Sequence, residues 1–403
     1  MTITKRLLIL GSTGSIGVQT LDVVRHLDAL AKAGASPVRF EVVGLSAGRN
    51  AQRLFEQASA MGVRELALAE PTDLATPDGF TVRTGPYAAE QLVNEVEADI
   101  VLGAMVGYAG LPATMAAIAL GRDVALANKE TLVAAGSIIL KACARTGSRL
   151  LPVDSEHSGV WQALLSRAAG APCDPPVRAG DDVAKIILTA SGGALRTRTK
   201  DETYHATVED ALAHPTWDMG AKVTIDSASL TNKALELVEA AWLFGVKSDR
   251  LDVLVDPTSI VHAIVEYADG SAIAQMGAPD MRTPIQYALT HPARVAGCSD
   301  TLDWRTLANL ELTPPDHDRF PALRLGYRVI DEGGTLGAVF NAANERAVEA
   351  FLDRAIPFGR IAQLVEHAME SVGLSELRDL SDAEQADTEA REAVSSMLAQ
   401  SAH

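Results

Sequence analysis

Short apolar runs alternate with amphipathic or alanine-rich stretches over the first 150 residues of the chain. The apolar runs lie at residues 7–10, 40–45, 66–69, 100–104, 124–127 and 149–153. Strands that alternate with helices at this spacing predict βαβ units, in which successive strands lie parallel in one sheet. The pattern therefore predicts an α/β protein that begins with a parallel sheet.

The pattern changes twice further along the chain. Residues 158–290 remain mixed, with strand-like runs at 184–189, 251–255, 260–267 and 271–275, a helical pattern at 232–244 and a loop at 171–182. Residues 290–318 are irregular and contain several prolines, whereas the sequence after residue 320 is helical in character. We therefore predict a first domain at 1–153, a central α/β domain at 154–290, a linker at 291–318 and a C-terminal helical bundle at 319–403.

Composition and charge narrow the class of protein. Of the 403 residues, 47% are hydrophobic, which excludes a mainly disordered chain. A formal net charge of −17 without a basic stripe disfavours nucleic acid as a partner. The three cysteines, Cys143, Cys173 and Cys298, stand far apart and indicate neither a disulfide framework nor a zinc site. Because no leader pattern precedes the first apolar run, we expect a cytoplasmic protein that acts on a small molecule.

One uncharged segment, residues 100–121, permits two interpretations. Its glycines at positions 103 and 107 form a GxxxG pattern that would suit a pair of membrane helices. The segment also matches a buried parallel strand, a glycine turn and an alanine-rich helix that starts near Pro112. We favour the second interpretation, without a membrane, because helix-breaking residues crowd the centre of the segment.

A glycine-rich turn, GSTGSIG, follows the first apolar run at residues 11–17. Such a turn between a strand and a helix directs backbone N–H groups and the positive end of the helix towards a pyrophosphate. This arrangement is typical of a Rossmann-like sheet that binds a dinucleotide. The alternative is an ordinary tight turn with close helix packing.

The end of the second predicted strand indicates which dinucleotide is bound. A carboxylate there would hold the ribose 2′-hydroxyl of NADH. The strand is followed instead by Gly48, Arg49 and Asn50, so that a cation stands where a 2′-phosphate would need one. We therefore predict NADPH, although Arg49 would also be compatible with an ordinary solvated charge.

Three polar residues, Asn128, Lys129 and Glu130, follow the strand at 124–127. Strand ends of an open α/β sheet face the ligand crevice, so these side chains could orient a nicotinamide and a substrate hydroxyl. The same residues could instead cap the N-terminus of a helix.

Acidic residues recur at two further places. In an extended segment Asp154 and Glu156 would point the same way, and two close carboxylates need a proton or a cation between them. On the predicted helix, Asn232, Lys233 and Glu236 share one face. If Glu236 joins the other two acids, three oxygen ligands result that suit Mg²⁺ or Mn²⁺. Alternatively, Lys233 and Glu236 form a surface ion pair.

Three segments offer groups that could hold a phosphate. Ser191 precedes two glycines after a predicted strand, and Ser227 lies within a hydroxyl-rich stretch before the helix at 232–244. The loop at 213–220 combines histidine, tryptophan and methionine between proline and glycine, as a mobile lid would. Each segment alone could equally be a turn or a cap.

The chain resembles the 1-deoxy-D-xylulose 5-phosphate reductoisomerase family in blocks that occur together and in one order: GSTGSIG, AGRN, LANKE, VDSEHSG, TASGG, HPTWDMG, IDSASLTNKALE and MGAPDMRTPI. The likeness covers residues 7 to about 290, and the helical tail fits only by size and position. It implies a homodimeric enzyme of isoprenoid precursor synthesis. The implied reaction is NADPH-dependent rearrangement and reduction of that sugar phosphate to 2-C-methyl-D-erythritol 4-phosphate, assisted by Mg²⁺ or Mn²⁺.

The resemblance also implies roles for individual residues, with residues 1–153 binding NADPH and 154–290 binding metal and substrate. The residues implied to contact NADPH are Thr13, Gly14, Ser15, Ile16, Gly48, Arg49, Asn50, Asn128, Glu130 and Gly220. The implied metal ligands are Asp154, Glu156 and Glu236, which form the catalytic set together with Lys129. The residues implied to contact the substrate are Lys129, Ser155, Glu156, Ser191, His214, Trp217, Ser227, Asn232, Lys233 and Glu236.

Two other functions remain open on the residues alone. A simple two-substrate dehydrogenase would not need the three carboxylates and would turn over fully in the presence of a chelator. A catalytically silent NADPH-binding protein should have lost Lys129, Glu156 or Glu236, and all of them are present.

Overall fold

The computed structural model describes residues 2–166, 174–217, 219–305, 307 and 309–401. Its N-terminal part is a seven-stranded sheet in which every neighbouring pair is parallel. The strands are β1 (Ile3–Leu10), β2 (Val38–Ala47), β3 (Glu65–Leu68), β4 (Thr81–Thr84), β5 (Ile100–Gly103), β6 (Asp123–Leu126) and β7 (Leu150–Pro152). The connecting helices are α1 (Ser15–Lys32), α2 (Ala51–Met61), α3 (Ala88–Glu95), α4 (Leu111–Ala119) and α5 (Lys129–Thr146).

The strand order of this sheet, β4-β3-β2-β1-β5-β6-β7, creates a crevice. From β1 the chain moves outward through β2, β3 and β4, and it then returns to place β5 on the other side of β1. The helices after β1 and β5 therefore diverge at the carboxyl ends of the two strands. Open α/β sheets bind their ligands at such a point.

A second, four-stranded sheet follows in the order β11-β10-β8-β9. Its strands are β8 (Val183–Ala190), β9 (Leu251–Val255), β10 (Val261–Tyr267) and β11 (Ala272–Met276), and only β8 and β9 pair in parallel. The helices of this part are α6 (Ser155–Leu164), α7 (Lys200–Tyr204), α8 (Val208–Leu212), α9 (Ala221–Ala228), α10 (Thr231–Phe244) and α11 (Arg282–Thr290). Helix α6 leaves the first sheet at β7 and packs on β10, so the two sheets share one hydrophobic core.

The C-terminal part is helical and rests on both preceding parts. It consists of α12 (Ala322–Glu332), α13 (Leu336–Leu352), α14 (Arg360–Ser371) and α15 (Leu380–Ser401). Helix α12 packs on α10, and α13 packs on α5 and α9. The contact of α13 with α5 is close, because a Cβ on Gly337 would lie 2.0 Å from the Val133 carbonyl oxygen. The C-terminal helices thus touch three helices that carry candidate site residues, α5, α9 and α10.

The predicted fold class is confirmed, with one strand missed. Each apolar run predicted as a strand forms one, but β4 was not predicted because Thr81–Thr84 lies at the sheet edge and none of it is fully buried. The segment 100–121 forms β5, a turn and α4, as favoured. Across the described residues, the helices are too short or too polar to span a membrane. Of the predicted features, Cys173 and part of the 171–182 loop lie outside the described residues.

Candidate active site

A cavity of about 290 Å³ opens at the carboxyl edge of the first sheet and is closed on its other side by α9 and α10. Segments that are distant in sequence line it together. The predicted site residues on its wall are Gly14, Ser15, Ile16, Lys129, Glu130, Asp154, Ser155, Glu156, Ser191, Trp217, Gly220, Ser227, Asn232, Lys233 and Glu236. Those that lie off the wall are Thr13, Gly48, Arg49, Asn50, Asn128 and His214.

Buried ion pairs join the three candidate metal ligands. The Lys129 Nζ atom lies 2.5 Å from Asp154 Oδ2 and 2.7 Å from Glu236 Oε1. The Lys233 Nζ atom lies 2.5 Å from Glu156 Oε1 and also contacts Glu236 Oε2. Each ammonium group therefore bridges two carboxylates, and Glu236 belongs to both bridges. The interpretation of Lys233 and Glu236 as a surface pair is wrong, since their side chains are only 3% and 2% exposed.

The local structure around Asp154 differs from the prediction. Asp154 and Glu156 do not lie in an extended segment: Asp154 is the N-cap of α6, and Glu156 lies in its first helical turn. The expected alternation of side chains along a strand therefore does not explain why both acids face the cavity. They face it because α6 begins at the end of β7, where negative side chains are favoured near the positive helix terminus.

Helix α10 supplies the other half of this cluster from a single face. The Asn232 amide donates to Glu236 Oε1 at 2.5 Å, and its Oδ1 accepts from Lys129 Nζ at 2.9 Å. Leu230, at the N-cap of α10, has the left-handed φ of 58°, which is unfavourable for a residue with a branched side chain. Backbone strain of this kind concentrates at functional sites. The left-handed conformation of Leu230 turns the chain sharply between α9 and α10, and both helices line the cavity.

The ion pairs fix the charge of the buried groups. Burial would lower the pKa of Lys129, but Asp154 and Glu236 raise it well above its ordinary value. Burial raises the pKa of Asp154 to about 6, although Lys129 opposes this shift. Burial also acts to raise the pKa of Glu156, but the adjacent Lys233 outweighs it and the pKa is strongly lowered. Lys129 is thus a protonated hydrogen-bond donor in this arrangement.

The donor set fits a hard divalent cation. Asp154, Glu156 and Glu236 offer carboxylate oxygens, the ligands that Mg²⁺ and Mn²⁺ prefer. All three line the same cavity, which leaves room for substrate oxygens beside them. Two ammonium groups balance their charge in this structure, and a divalent cation would provide the same kind of balance.

Sequence reasoning missed two buried residues behind this cluster. Asp154, His157 and Glu239 offer ligand atoms that all lie within 4.8 Å of one another. The His157 Nε2–H donates to the backbone carbonyl of Glu236 at 2.9 Å, and burial lowers the pKa of His157 to about 4. Burial raises the pKa of Glu239 well above its ordinary value. The spacing could have indicated Glu239, because it lies three residues after Glu236 on the same helix and therefore near the same face.

The candidate phosphate-binding segments lie against each other. The Ser191 Oγ accepts from the Gly193 N–H at 3.2 Å. Gly193 has a φ of +69°, and a Cβ there would lie 2.5 Å from the carbonyl oxygen of Ser227. Only glycine fits such a position. The close approach brings the Ser191 and Ser227 hydroxyls to one end of the cavity, with Ser227 inside α9 rather than at a cap of α10.

The 213–220 loop, of which Asp218 lies outside the described residues, is attached to this end through His214. The His214 Nδ1 atom accepts from the backbone N–H groups of Thr216 and Trp217, at 3.1 and 2.9 Å. The proton therefore lies on Nε2, which donates to Ser191 Oγ at 3.0 Å. Burial lowers the pKa of His214, which favours this neutral form. His214 thus holds the loop so that Trp217 lines the cavity.

The nucleotide end is more open. Helix α1 begins after Gly14 without a side-chain cap, so that its first N–H groups face the crevice. Thr13 is half-buried in the turn before it. Gly48 and Asn50 are exposed, Asn50 caps α2, and the 83% exposed Arg49 pairs only loosely with Glu70, at 3.3 Å.

Two residues at the start of α5 contribute differently. The Asn128 side chain caps α5 by accepting from Thr131, and its amide donates to the carbonyl oxygens of Met105 and Gly107. These bonds use all its donors and acceptors, so the structure favours a cap over a side-chain contact with NADPH. Glu130 is buried on the cavity wall and pairs with Lys222 at 2.9 Å.

Three further wall residues were not predicted: nothing in the local sequence marks Ser259 or His262, whereas Met281 lies in the MGAPDMRTPI block but was given no role. Ser259 has a left-handed φ of 55°, and its buried Oγ has no hydrogen-bond partner among the described residues. His262 and Met281 line the same wall. Ser259 lies between β9 and β10, His262 lies in β10, and Met281 is the N-cap of α11.

Family models match three successive parts of the chain. Residues 7–136 match the model described as 1-deoxy-D-xylulose 5-phosphate reductoisomerase. Residues 150–244 match the C-terminal domain model of that name, and residues 276–393 match the DXP reductoisomerase C-terminal domain. Between positions 7 and 393, the three matches leave only residues 137–149 and 245–275 uncovered.

Curated relatives and solved structures agree with these models. The 1-deoxy-D-xylulose 5-phosphate reductoisomerase of Pelotomaculum thermopropionicum is 45% identical over 96% of this chain and 97% of its own length. That of Symbiobacterium thermophilum is 47% identical over 96% and 97%. The Zymomonas mobilis enzyme solved with NADPH has a TM-score of 0.85 at 38% identity, covering 99% of both chains. A reductoisomerase solved with NADPH, fosmidomycin and magnesium has a TM-score of 0.87 at 32% identity, covering 98% of both.

Proposed function

Because the chain belongs to the 1-deoxy-D-xylulose 5-phosphate reductoisomerase family, we propose that the cavity described above is its active site. The chain is an NADPH-dependent oxidoreductase that rearranges and reduces this sugar phosphate to 2-C-methyl-D-erythritol 4-phosphate with a divalent cation. The observation that carries the residue assignment is the buried cluster in which Lys129 and Lys233 bridge three carboxylates on one cavity wall.

Asp154, Glu156 and Glu236 are the proposed metal ligands, and the cation is Mg²⁺ or Mn²⁺. When bound, such a cation acts as a Lewis acid on the vicinal oxygens of the substrate. The backbone of α6 and α10 fixes the three carboxylates before any ligand arrives, because each acid lies in or next to a helix. This preorganisation lowers the cost of assembling the site.

Lys129 and Ser155 are proposed to hold substrate oxygens beside the carboxylates. The raised pKa of Lys129 keeps it protonated, so it can donate to a developing negative charge on a substrate oxygen. Asn232 orients the Lys129 ammonium group through its Oδ1 atom. Lys129 is therefore proposed to polarise the substrate by hydrogen bonding and to remain protonated while it does so.

The phosphate of the substrate is proposed to lie between Ser191 and Ser227, with Asn232, Lys233 and His214 nearby. Hydroxyl and backbone N–H donors suit a phosphate, and the Nε2 proton of His214 points to this end. Trp217 covers the substrate and excludes water when the 213–220 loop closes. Binding of the remote phosphate contributes the energy that aligns the reacting carbons.

NADPH is proposed to span the crevice from Arg49 to Gly220, and it supplies the hydride. Its pyrophosphate would meet the turn formed by Thr13, Gly14, Ser15 and Ile16 at the N-terminus of α1. Gly48, Arg49 and Asn50 would hold its adenosine end, with Arg49 paired to the 2′-phosphate. The nicotinamide end would meet Glu130 and Gly220 on the cavity wall, close to Lys129. The backbone around Asn128, rather than its committed side chain, would support this end.

The proposal retains the domain limits 1–153, 154–290, 291–318 and 319–403, a homodimer and a cytoplasmic location. The first limit falls between β7 and α6, where the chain leaves the first sheet. The homodimer follows from the family resemblance, and a mass measurement by light scattering tests it. The free cysteines Cys143 and Cys298 are consistent with a reducing compartment.

The decisive experiment follows NADPH oxidation in the presence of 1-deoxy-D-xylulose 5-phosphate. We expect turnover with Mg²⁺ or Mn²⁺, loss of turnover in excess chelator, and recovery when the cation is restored. Full turnover in chelator would instead favour a simple dehydrogenase. Absence of turnover with retained NADPH binding would favour a silent nucleotide-binding protein.

A further inference from the structure

Helix α9 runs from Gly220 to the proposed phosphate end of the cavity and is held by a chain of polar groups, most of them buried. Its first residues follow Gly220, and Ser227 lies near its end. Lys222 and Asp226, one helical turn apart, form an ion pair of 2.8 Å between Nζ and Oδ2. The position of α9 therefore sets where Ser227 and Gly220 stand.

This ion pair continues into two other parts of the molecule. The Lys222 Nζ atom also lies 2.9 Å from Glu130 Oε1, at the start of α5. On the other side, the Asn344 amide of α13 donates to Asp226 Oδ1 at 2.8 Å. Glu130, Lys222, Asp226 and Asn344 thus link the first sheet's α5, the central α9 and the C-terminal α13, and we call them the α5–α9–α13 chain.

Three members of this chain are buried and Lys222 is partly buried, so each depends on its partners. Asp226 is 1% exposed and Asn344 is fully buried. Burial raises the pKa of Asp226, although Lys222 and the Asn344 amide oppose this shift. A buried carboxylate that loses one of its donors is costly, and the surrounding helices then shift or repack.

Helix α13, which carries Asn344, is itself held in place because it also packs closely on α5. Gly337 of α13 approaches the Val133 carbonyl of α5 so closely that no side chain fits between them. One helix of the C-terminal region therefore contacts both α5, which carries Lys129, and α9, which carries Ser227. The active site lies between these two helices.

We infer that Asn344 is a positioning residue for the reaction. By fixing Asp226, it holds α9 in register with α5 and so sets the separation between the phosphate end of the cavity and Lys129. The C-terminal helices would then help to position the site, although none of their described residues lines the cavity wall. The inference rests on the proposed function, because it requires that the phosphate binds at Ser191 and Ser227.

The test compares three variants of the full chain by steady-state kinetics with the sugar phosphate and NADPH. Asn344→Asp sets a second carboxylate against Asp226. Asn341→Asp is the matched control, since Asn341 is buried on the same helix and its amide donates to Glu345 Oε1 at 3.0 Å. The double variant Asp226→Asn with Asn344→Asp exchanges the amide and the carboxylate. The α5–α9–α13 chain can then re-form with the same net charge.

Asn344→Asp is expected to raise KM for the sugar phosphate about tenfold and to lower kcat, because small misplacements can cost up to about 10²-fold in rate. Asn341→Asp should lower the melting temperature to a similar degree without a change in this KM. In the double variant, the KM for the sugar phosphate should return most of the way to the wild-type value. NADPH affinity, measured by fluorescence titration, should change less than the KM for sugar phosphate.

Unchanged KM in Asn344→Asp, or equal KM effects in Asn344→Asp and Asn341→Asp, would overturn the inference and leave Asn344 a purely structural residue. If Asn344→Asp does not fold, Asn344→Ser removes the amide without adding a charge and takes its place in the same comparison. Failure of the proposed function would be seen separately, as wild-type protein that does not oxidise NADPH with this substrate and a divalent cation.

Discussion

At the proposed substrate end of the site, two lysines lie buried among three carboxylates, and Lys233 is only 3% exposed. At the proposed nucleotide end, which extends beyond the cavity wall, Arg49 is 83% exposed and its partner Glu70 is 57% exposed. The first end is built from side chains of several distant segments. The second is built from the backbone of a short turn and one exposed cation. The proposed active site thus joins a tightly coupled end inside the cavity to a loosely held end that extends beyond it.

This difference predicts how each end responds to substitution. Buried charges support each other, and removal of one leaves its partners without compensation in a medium of low polarity. An exposed charge is screened by water and salt, so that its loss costs little. Substitutions at the substrate end should therefore have large effects on turnover, whereas those at the nucleotide end should have small effects confined to the cofactor.

The largest effect is expected for Glu236→Gln, which removes the carboxylate shared by both lysine bridges. Turnover should fall by about 10²–10³-fold, the scale seen when a preorganised electrostatic group is lost. NADPH binding should be retained because the nucleotide turn lies at the other end of the cavity. Steady-state kinetics and fluorescence titration measure the two quantities.

Glu366→Gln, an exposed substitution of the same kind on α14, is the control and should behave as wild type. Wild-type rates in Glu236→Gln would refute the assignment of Glu236 as a ligand. Loss of NADPH binding would show that the two ends are coupled and would break the comparison.

Intermediate effects are expected from a pair of glycine substitutions. Gly193→Ala places a Cβ 2.5 Å from the Ser227 carbonyl at a φ of +69°. The strain of about 1–3 kcal/mol should lower the melting temperature and raise KM for the sugar phosphate roughly tenfold. Gly48→Ala meets no atom within 4 Å and needs no left-handed φ, so the melting temperature should not change.

Thermal unfolding and substrate titration of both variants sharpen the comparison. A methyl group at Gly48 should alter at most the KM for NADPH. Equal tolerance of alanine at both positions would mean that the close approach of the 191–193 loop to α9 is not needed for phosphate binding.

Much of the fold could be predicted because buried parallel strands are continuous apolar runs. Leu7–Leu10 and Ile100–Leu102 are almost completely buried, and their sequence shows it. The edge strand β4 could not be found this way, since Thr81 and Thr84 are exposed and no apolar run marks them. The start of α6 was misjudged as extended, although an N-cap aspartate followed by glutamate is a helix-start pattern.

The site could be predicted where residue chemistry is distinctive and not where it depends on packing. The motifs around Lys129, Asp154 and Glu236 identified segments that the fold brings to one cavity. The lysine bridges between the carboxylates could not be read from the sequence, because they depend on how α5, α6 and α10 meet. The left-handed conformations of Leu230 and Ser259 likewise follow from tertiary constraints, since neither residue type favours them.

The smallest effect is expected for Arg49→Asp at the nucleotide end. Replacement of the cation by an acid should lower kcat/KM for NADPH relative to NADH by about tenfold, because one charge-assisted hydrogen bond at an exposed site is lost. Arg64→Asp is the matched control. Arg64 is also exposed, but it lies just before β3, at the amino ends of the strands and therefore away from the crevice. The kcat with saturating cofactor should stay near the wild-type value in both variants, because the buried cluster around Lys129 is untouched. An unchanged cofactor ratio in Arg49→Asp would mean that Arg49 only faces solvent, and the 2′-phosphate would then have to be held by backbone groups of the same turn.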